Sequence, residues 1–169
     1  VHSSPLGELG TRDTGGMSVY IRELAMALGR QGHRVDMYTR QNHTSCSQCA
    51  AIAENVSLIH VPAGGSGYID KRALYPHLAE FFLQMERFRR RKNRHYDIIH
   101  SNYWLSARVG HWAQLHWQVP HFVLFHTLGA VKNLFPIGSP EPQLRIATEK
   151  FVSRQCSLIG TRCCSTGSR

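Results

Sequence analysis

Short apolar segments typical of β-strands alternate along this chain of 169 residues with segments of helical periodicity. This alternation restricts the possible folds more than any other feature of the sequence. It favours an α/β, Rossmann-like fold with an open, mostly parallel sheet and helices on both faces. Strands are predicted at residues 34–39, 56–62, 96–103, 121–127 and 157–161. Helices are predicted at residues 74–91, 105–117 and 143–156, and a polar loop at residues 41–55.

Residues 10–32 carry a glycine pair followed by an apolar face at helical spacing, which predicts a loop and an amphipathic helix. Thr14 is a candidate N-cap and Gly32 a candidate C′ residue. Gly15 and Gly16 then fall at the helix N-terminus, where free N–H groups and the helix dipole favour an anion. Glycines also serve turn geometry, so this segment alone leaves both interpretations open. The sequence lacks the Walker A and GxGxxG motifs, which disfavours P-loop and ordinary dinucleotide sites.

The chain is basic, because 20 Lys and Arg against 11 Asp and Glu give a formal net charge of +9. A charge of this sign favours anionic partners. The densest run, residues 87–95, has the charge to bind nucleic acid or an anionic membrane. It also fits the solvated end of a helix, and it lacks the aromatic residues of a single-strand binder. We favour the helix end and keep a basic binding module as the alternative.

The five cysteines are an odd number for a closed set of disulfides. His43, Cys46 and Cys49 lie close together in sequence, but a zinc site needs four suitably placed ligands. We therefore expect reduced thiols in a cytoplasmic protein and no bound metal. The sequence has neither an apolar run long enough to cross a bilayer nor a recognisable signal peptide.

Polar residues fall where the predicted strands end, at Ser3-Ser4, Ser101-Asn102-Tyr103 and His126-Thr127. In open parallel sheets, ligands bind beyond the carboxyl ends of the strands. A histidine there can polarise a hydroxyl or hold a phosphate, and it can equally be a satisfied buried imidazole. For His126 the residues alone leave these two interpretations open.

Four segments taken together resemble the N-terminal half of the family 4 retaining glycosyltransferases of the GT-B fold. They read HSSPL, GTRDTGGMSVYIRELAMALGRQGHRVDMYTR, YDIIHSNYWLSARVG and HTLGAVKN. Within the family they are similar to the D-inositol-3-phosphate glycosyltransferases of mycothiol biosynthesis and to the sucrose-phosphate synthase group. The resemblance covers residues 1–160, implies a first strand before Val1, and leaves residues 161–169 as a divergent tail without the family's C-terminal domain.

The resemblance also implies a reaction, in which a sugar moves from a nucleotide-sugar donor to an acceptor hydroxyl without a cofactor or metal. Gly15 and Gly16 would bind the donor diphosphate, and Asp13 and His126 would be the catalytic residues near the reacting sugar. The residues matching acceptor-phosphate contacts are Lys71, Tyr103, Thr127 and Arg145. The chain alone is expected to be inactive and cytoplasmic, with no nucleic-acid partner, while peripheral membrane contact is left open.

Overall fold

The computed structural model describes residues 1, 5, 15–42, 47–135, 139–158 and 163–164. The chain forms two compact units, unit 1 (Val1–Lys92) and unit 2 (Asn93–Arg169). Every helix among the described residues is too short or too polar to span a membrane.

Unit 1 combines a three-stranded sheet with two longer helices. Its elements are α1 (Gly16–Arg30), β1 (Val35–Arg40), β2 (Cys49–Ala53), β3 (Val56–Val61), a 3₁₀ turn (Tyr75–His77) and α2 (Leu78–Arg91). The strand order is β1-β3-β2, with β1 parallel and β2 antiparallel to β3. Ala25 of α1 packs on Met37, Val56 and Leu58, so the predicted apolar face of this helix covers the sheet.

The structure confirms Gly32 as the C′ residue that follows α1. This residue has a φ of +86°. Its N–H donates to the Gly29 carbonyl at 3.0 Å, and the His33 N–H donates to the Leu28 carbonyl at 3.1 Å. These two bonds form the Schellman motif, which favours glycine at C′. At the other end of α1 the N-cap residue is Gly15, while Thr14 lies outside the described residues.

Unit 2 contains a second three-stranded sheet, in the order β4-β5-β6, in which each neighbouring pair is parallel. Its elements are β4 (Ile99–Asn102), α3 (Trp104–Trp117), β5 (His121–Leu124), α4 (Gly129–Lys132), α5 (Gln143–Leu158) and β6 (Cys163–Cys164). Helix α3 connects β4 to β5 and packs against α5. The buried apolar residues include Trp104, Leu105, Val123, Phe125 and Val152.

The predicted α/β organisation with parallel strands is confirmed, but two local predictions are wrong. Residues 49–53 form β2 rather than a loop, because their backbone pairs with β3. Residues 157 and 158 continue α5 rather than begin a strand, and the last described strand, β6, starts at Cys163. The first error concerns a segment whose structure depends on its pairing with a neighbouring strand rather than on its own composition.

Candidate functional site

The predicted polar strand ends of unit 2 meet at one edge of its sheet. Strands β4 and β5 finish side by side, with Asn102 paired to Leu124 in the last register position. Tyr103 directly follows β4, and its N–H donates to the Leu124 carbonyl at 2.9 Å. His126 and Thr127 follow β5 one residue later. Ser3 and Ser4 lie outside the described residues.

Two non-glycine residues at this edge have positive φ angles. Tyr103 has a φ of 76° and a ψ of 158°, and His126 has a φ of 60°. The Tyr103 conformation belongs to a region that is nearly restricted to glycine, and holding it costs about 1–3 kcal/mol. Strain of this kind persists only where surrounding contacts impose it, and it concentrates at functional sites.

Arg145 joins the strand ends to α5 and is 1% exposed. Its Nη2 donates to the carbonyl of Thr127 at 2.7 Å and to the Thr127 hydroxyl at 3.0 Å. Its Nη1 donates to the Tyr103 hydroxyl at 3.3 Å and lies 3.0 Å from Glu141 Oε2. Its Nε donates to Glu149 Oε1 at 2.7 Å. Each of the five guanidinium N–H groups therefore has an acceptor, and three of the four predicted acceptor-phosphate residues lie together.

The two glutamates that hold Arg145 also bind the two ends of α4. Glu149 Oε2 accepts from the Gly129 N–H at 2.8 Å. The Glu141 carboxylate contacts Lys132 Nζ, and the Glu141 main chain exchanges hydrogen bonds of 2.7 and 3.1 Å with the Asn133 side chain. The glutamates thus connect α4 to the segment just before α5 and to the middle of α5.

The charged forms of both Arg145 and Glu141 are stabilised in this cluster. Burial alone would lower the pKa of Arg145, but the hydrogen bond to Glu149 and the charges of Glu149 and Glu141 raise it overall. Burial alone would raise the pKa of Glu141, but the hydrogen bond from Lys132 and the charge of Arg145 hold it below its ordinary value. Because two cations face two carboxylates, the cluster carries little net charge at neutral pH.

Glu141 and Glu149 were missed in the sequence, although a signal was available for one of them. Glu149 lies four residues after Arg145 on α5, a spacing that favours an ion pair along a helix. Glu141 lies before α5 begins, so helical spacing does not predict its contact with Arg145. The prediction of Arg145 as a phosphate ligand considered the arginine without these partners.

His126 lies at the same edge as this cluster, with Nε2 2.9 Å from Asn102 Oδ1. Because Asn102 Oδ1 can only accept, we assign the proton of this bond to the imidazole. Burial lowers the pKa of His126, so its ring is neutral at pH 7. The ring is half-buried and hydrogen-bonded at the carboxyl ends of the strands, and its catalytic role stays a prediction.

A second histidine lies beneath the strand ends. His121 is fully buried, and its Nε2 lies 2.8 Å from Ser101 Oγ, whose own hydroxyl donates to the Ser106 carbonyl at 3.0 Å. Nε2 is therefore the donor, and Nδ1 has no hydrogen-bond partner among the described residues. A proton added at Nδ1 would be buried without an acceptor, which agrees with burial lowering the pKa of His121 to about 4.

This histidine makes the stability of unit 2 depend on pH. Between pH 6.5 and about 4 the unfolded chain binds a proton at His121 that the folded chain does not bind. Stability should therefore be greatest above pH 6.5 and fall by about 3 kcal/mol across this interval. Urea unfolding followed by tryptophan fluorescence measures this change. In His121→Gln the decline should shrink by that amount, whereas exposed His33→Gln should retain it; an unchanged decline in His121→Gln would contradict the assignment.

The predicted donor-site glycines lie in unit 1. Gly15 and Gly16 are exposed, and no described atom lies within 4 Å of a Cβ built on either residue. Ser18, in the first turn of α1, is 2% exposed, and its hydroxyl has no partner among the described residues. Lys71 is half-buried in a turn before α2. Asp13 lies outside the described residues.

The basic run at residues 87–95 ends α2, as the favoured interpretation predicts. Arg89 Nε and Arg90 Nε donate to the buried Glu86 carboxylate at 2.7 and 2.6 Å. One carboxylate thus binds two of the arginines, while the alternative of a basic binding module remains an untested prediction. Cys49 is an exposed free thiol, and no group of metal-ligating side chains is found in the described parts of the chain.

Comparison with known proteins gives one sequence family, described as "Glycosyl transferase 4-like domain", which matches residues 15–162. The chain is 39% identical over 162 residues to D-inositol 3-phosphate glycosyltransferase of Nocardiopsis dassonvillei, covering 94% of this chain and 38% of the relative. It is 42% identical over 143 residues to the protein of that name from Corynebacterium glutamicum, covering 85% of this chain and 34% of the relative.

Among solved structures, the chain is similar to sucrose-phosphate synthase from Thermosynechococcus elongatus. The TM-score is 0.84 at 25% sequence identity, and the match covers 100% of this chain and 47% of that one. The architecture is accordingly that of one half of a GT-B protein. The chain spans less than half the length of each of these relatives.

Proposed function

The chain belongs to the glycosyl transferase 4-like family, and from this we propose that it is the acceptor-binding part of a sugar transferase. The acceptor we propose is a phosphorylated polyol of the inositol phosphate class. The observation that carries this proposal is the convergence of Tyr103, Thr127 and Arg145 at a strained strand end. An arginine fork flanked by two hydroxyls suits the oxygens of a phosphate.

A phosphate can bind here without breaking the ion pairs. The Tyr103 and Thr127 hydroxyls now accept from Arg145 at 3.3 and 3.0 Å, and both are neutral acceptors. A phosphate oxygen is a stronger acceptor than a hydroxyl, so it can take these N–H groups while both hydroxyls rotate to donate to it. Glu149, Glu141 and the Thr127 carbonyl keep the remaining N–H groups, and the guanidinium stays in place.

We propose Gly15 and Gly16 as the donor diphosphate site. The first amides of a helix have no intrahelical acceptor, and the space around both glycines is open among the described residues. The buried, unpartnered Ser18 hydroxyl adds a polar group in the same turn. His126 as a catalytic residue, Asp13 as its counterpart and Lys71 as an acceptor ligand remain proposals that rest on the family resemblance.

Transfer by this route requires a nucleotide-sugar, an acceptor hydroxyl and a second domain that holds most of the donor. No cofactor or metal is included in the proposal. Because bringing donor and acceptor together supplies much of the rate, this chain alone is expected to bind acceptor without turning it over. The cytoplasmic location likewise remains a prediction.

Calorimetric titration of the 169-residue chain with D-inositol 3-phosphate tests the acceptor proposal. We expect saturable binding, and binding of unphosphorylated inositol weaker by at least about tenfold, because the charge-assisted hydrogen bonds are absent. Thr127→Val should weaken inositol phosphate binding by about three- to tenfold, the effect of one lost hydrogen bond.

Ser66→Ala is the control for this titration, because it removes an exposed hydroxyl in unit 1 and should leave affinity unchanged. Equal affinity for phosphorylated and unphosphorylated inositol would contradict the proposed acceptor class. Equal weakening by the Thr127 and Ser66 variants would show that the phosphate binds elsewhere.

A further inference from the structure

Glu149 bridges two donors that come from different elements of unit 2. Its Oε1 accepts from Arg145 Nε, one turn earlier on α5, at 2.7 Å. Its Oε2 accepts from the backbone N–H of Gly129, the first residue of α4, at 2.8 Å. The side chain is buried, so water does not substitute for either bond at low cost.

The backbone at Gly129 and the Arg145 side chain pass very close to each other. A Cβ at Gly129 would lie 3.2 Å from both Cδ and Nε of Arg145, so a side chain there would require the arginine to shift by a few tenths of an ångström. Thr127, which accepts both Nη2 hydrogen bonds of Arg145, lies only two residues before Gly129. Glu149 therefore fixes the guanidinium and the Thr127–Gly129 backbone relative to each other.

We propose that Glu149 is the positioning residue of the phosphate-binding cluster, a role that rests on the proposed acceptor function. It binds the Nε edge of Arg145 and leaves the Nη edge directed at the Thr127 and Tyr103 hydroxyls. It does not touch the phosphate. Its effect is that the arginine fork and the Thr127 hydroxyl present donors with a fixed spacing, which lowers the entropy cost of binding.

The role requires a carboxylate, because both Glu149 oxygens accept. Glutamine offers one acceptor oxygen and one donor NH₂, so in Glu149→Gln either Arg145 Nε–H or Gly129 N–H faces another donor. Glu149→Asp keeps both acceptors, but the side chain is one methylene shorter and cannot span the two donors from α5. Both variants should lose the bridge, and Glu149→Gln does so while retaining nearly the same volume.

The experiment measures two quantities for each folded variant. Titration with D-inositol 3-phosphate should show affinity about tenfold lower in Glu149→Gln, because the phosphate must then order an arginine side chain that the protein no longer holds. The ¹H–¹⁵N signal of Arg145 Nε, assigned by its absence in Arg145→Lys, should be protected from exchange in the wild type and lose that protection in the variant. A residue that only stabilises the fold would leave the affinity unchanged in a folded variant, while the Nε protection reports whether the bridge itself is lost.

Glu23→Gln is the charge-matched control, since Glu23 forms an exposed pair with Arg22 and should leave both quantities unchanged. If Glu149→Gln is too unstable, Glu149→Asp should show the same loss of affinity. Wild-type affinity in either folded Glu149 variant overturns the positioning role while leaving the acceptor proposal intact. Failure of the wild type to bind, with a protected Arg145 signal, instead overturns the acceptor proposal.

Discussion

Replacing Arg145 by Met should lower the free energy of unfolding of unit 2 by about 3–5 kcal/mol, the cost of removing one partner of a buried ion pair. The variant leaves Glu141 and Glu149, which are 8% and 4% exposed, without their shared cation. It also removes the donors to Thr127 and Tyr103 that hold the strained strand end. All three tryptophans lie in α3, so urea unfolding followed by tryptophan fluorescence reports on unit 2.

The stability of Arg145→Met should also depend on pH differently from the stability of the wild type. In the wild type the pKa of Glu141 is held below its ordinary value, so the ion pairs stabilise the fold above about pH 4.5 and lose this effect as the pH falls. In the variant Glu141 keeps Lys132 but loses the charge of Arg145, so its carboxyl protonates more easily as the pH falls, which relieves the buried charge. The stability gap between the two proteins should therefore be largest near neutral pH and narrow toward pH 4.

Lys150→Met is the matched control, because it removes one positive charge from an exposed position of the same helix. Substitutions of this kind usually change stability by less than about 0.5 kcal/mol. A loss in Arg145→Met no larger than in Lys150→Met would contradict the picture of Arg145 as the centre of a buried network.

The sequence predicted the elements that bury an apolar face by their own periodicity. Leu78, Phe81, Met85 and Phe88 recur at helical spacing, and all four are buried in α2 as expected. Strand β5 was predicted for a similar reason, since Phe122, Val123 and Leu124 are consecutive apolar residues that suit a parallel sheet. Local pattern and local structure agree in these segments.

Tyr103 and Thr127 could not be identified as partners of Arg145 in the same way, because these contacts join residues that are distant in sequence. Tyr103 lies 42 residues before Arg145 in sequence. Nothing in its local sequence predicts a backbone conformation that usually requires glycine, because the surrounding hydrogen bonds impose that conformation. The strand β2 was missed for a comparable reason, as its pairing with β3 determines its structure.

Gly110→Ala should destabilise unit 2 by about 3 kcal/mol, the upper end of ordinary overpacking costs. In an exposed helix, replacing glycine by alanine would instead raise the free energy of unfolding by up to about 1 kcal/mol, because alanine has the higher helix propensity. The effect expected at Gly110 has the opposite sign. A Cβ at Gly110 would lie 2.2 Å from Ser101 Oγ and 2.3 Å from His121 Nε2, both in buried side chains. Urea unfolding with tryptophan fluorescence measures the loss.

A double-mutant cycle with Ser101→Ala determines whether this close approach is the cause. Removing Ser101 Oγ eliminates the nearest atom and releases the His121 ring from its 2.8 Å hydrogen bond, so the ring can move away from a new methyl group. Gly110→Ala should then cost at least about 1 kcal/mol less in the Ser101→Ala background than in the wild type. Strict additivity would contradict steric exclusion.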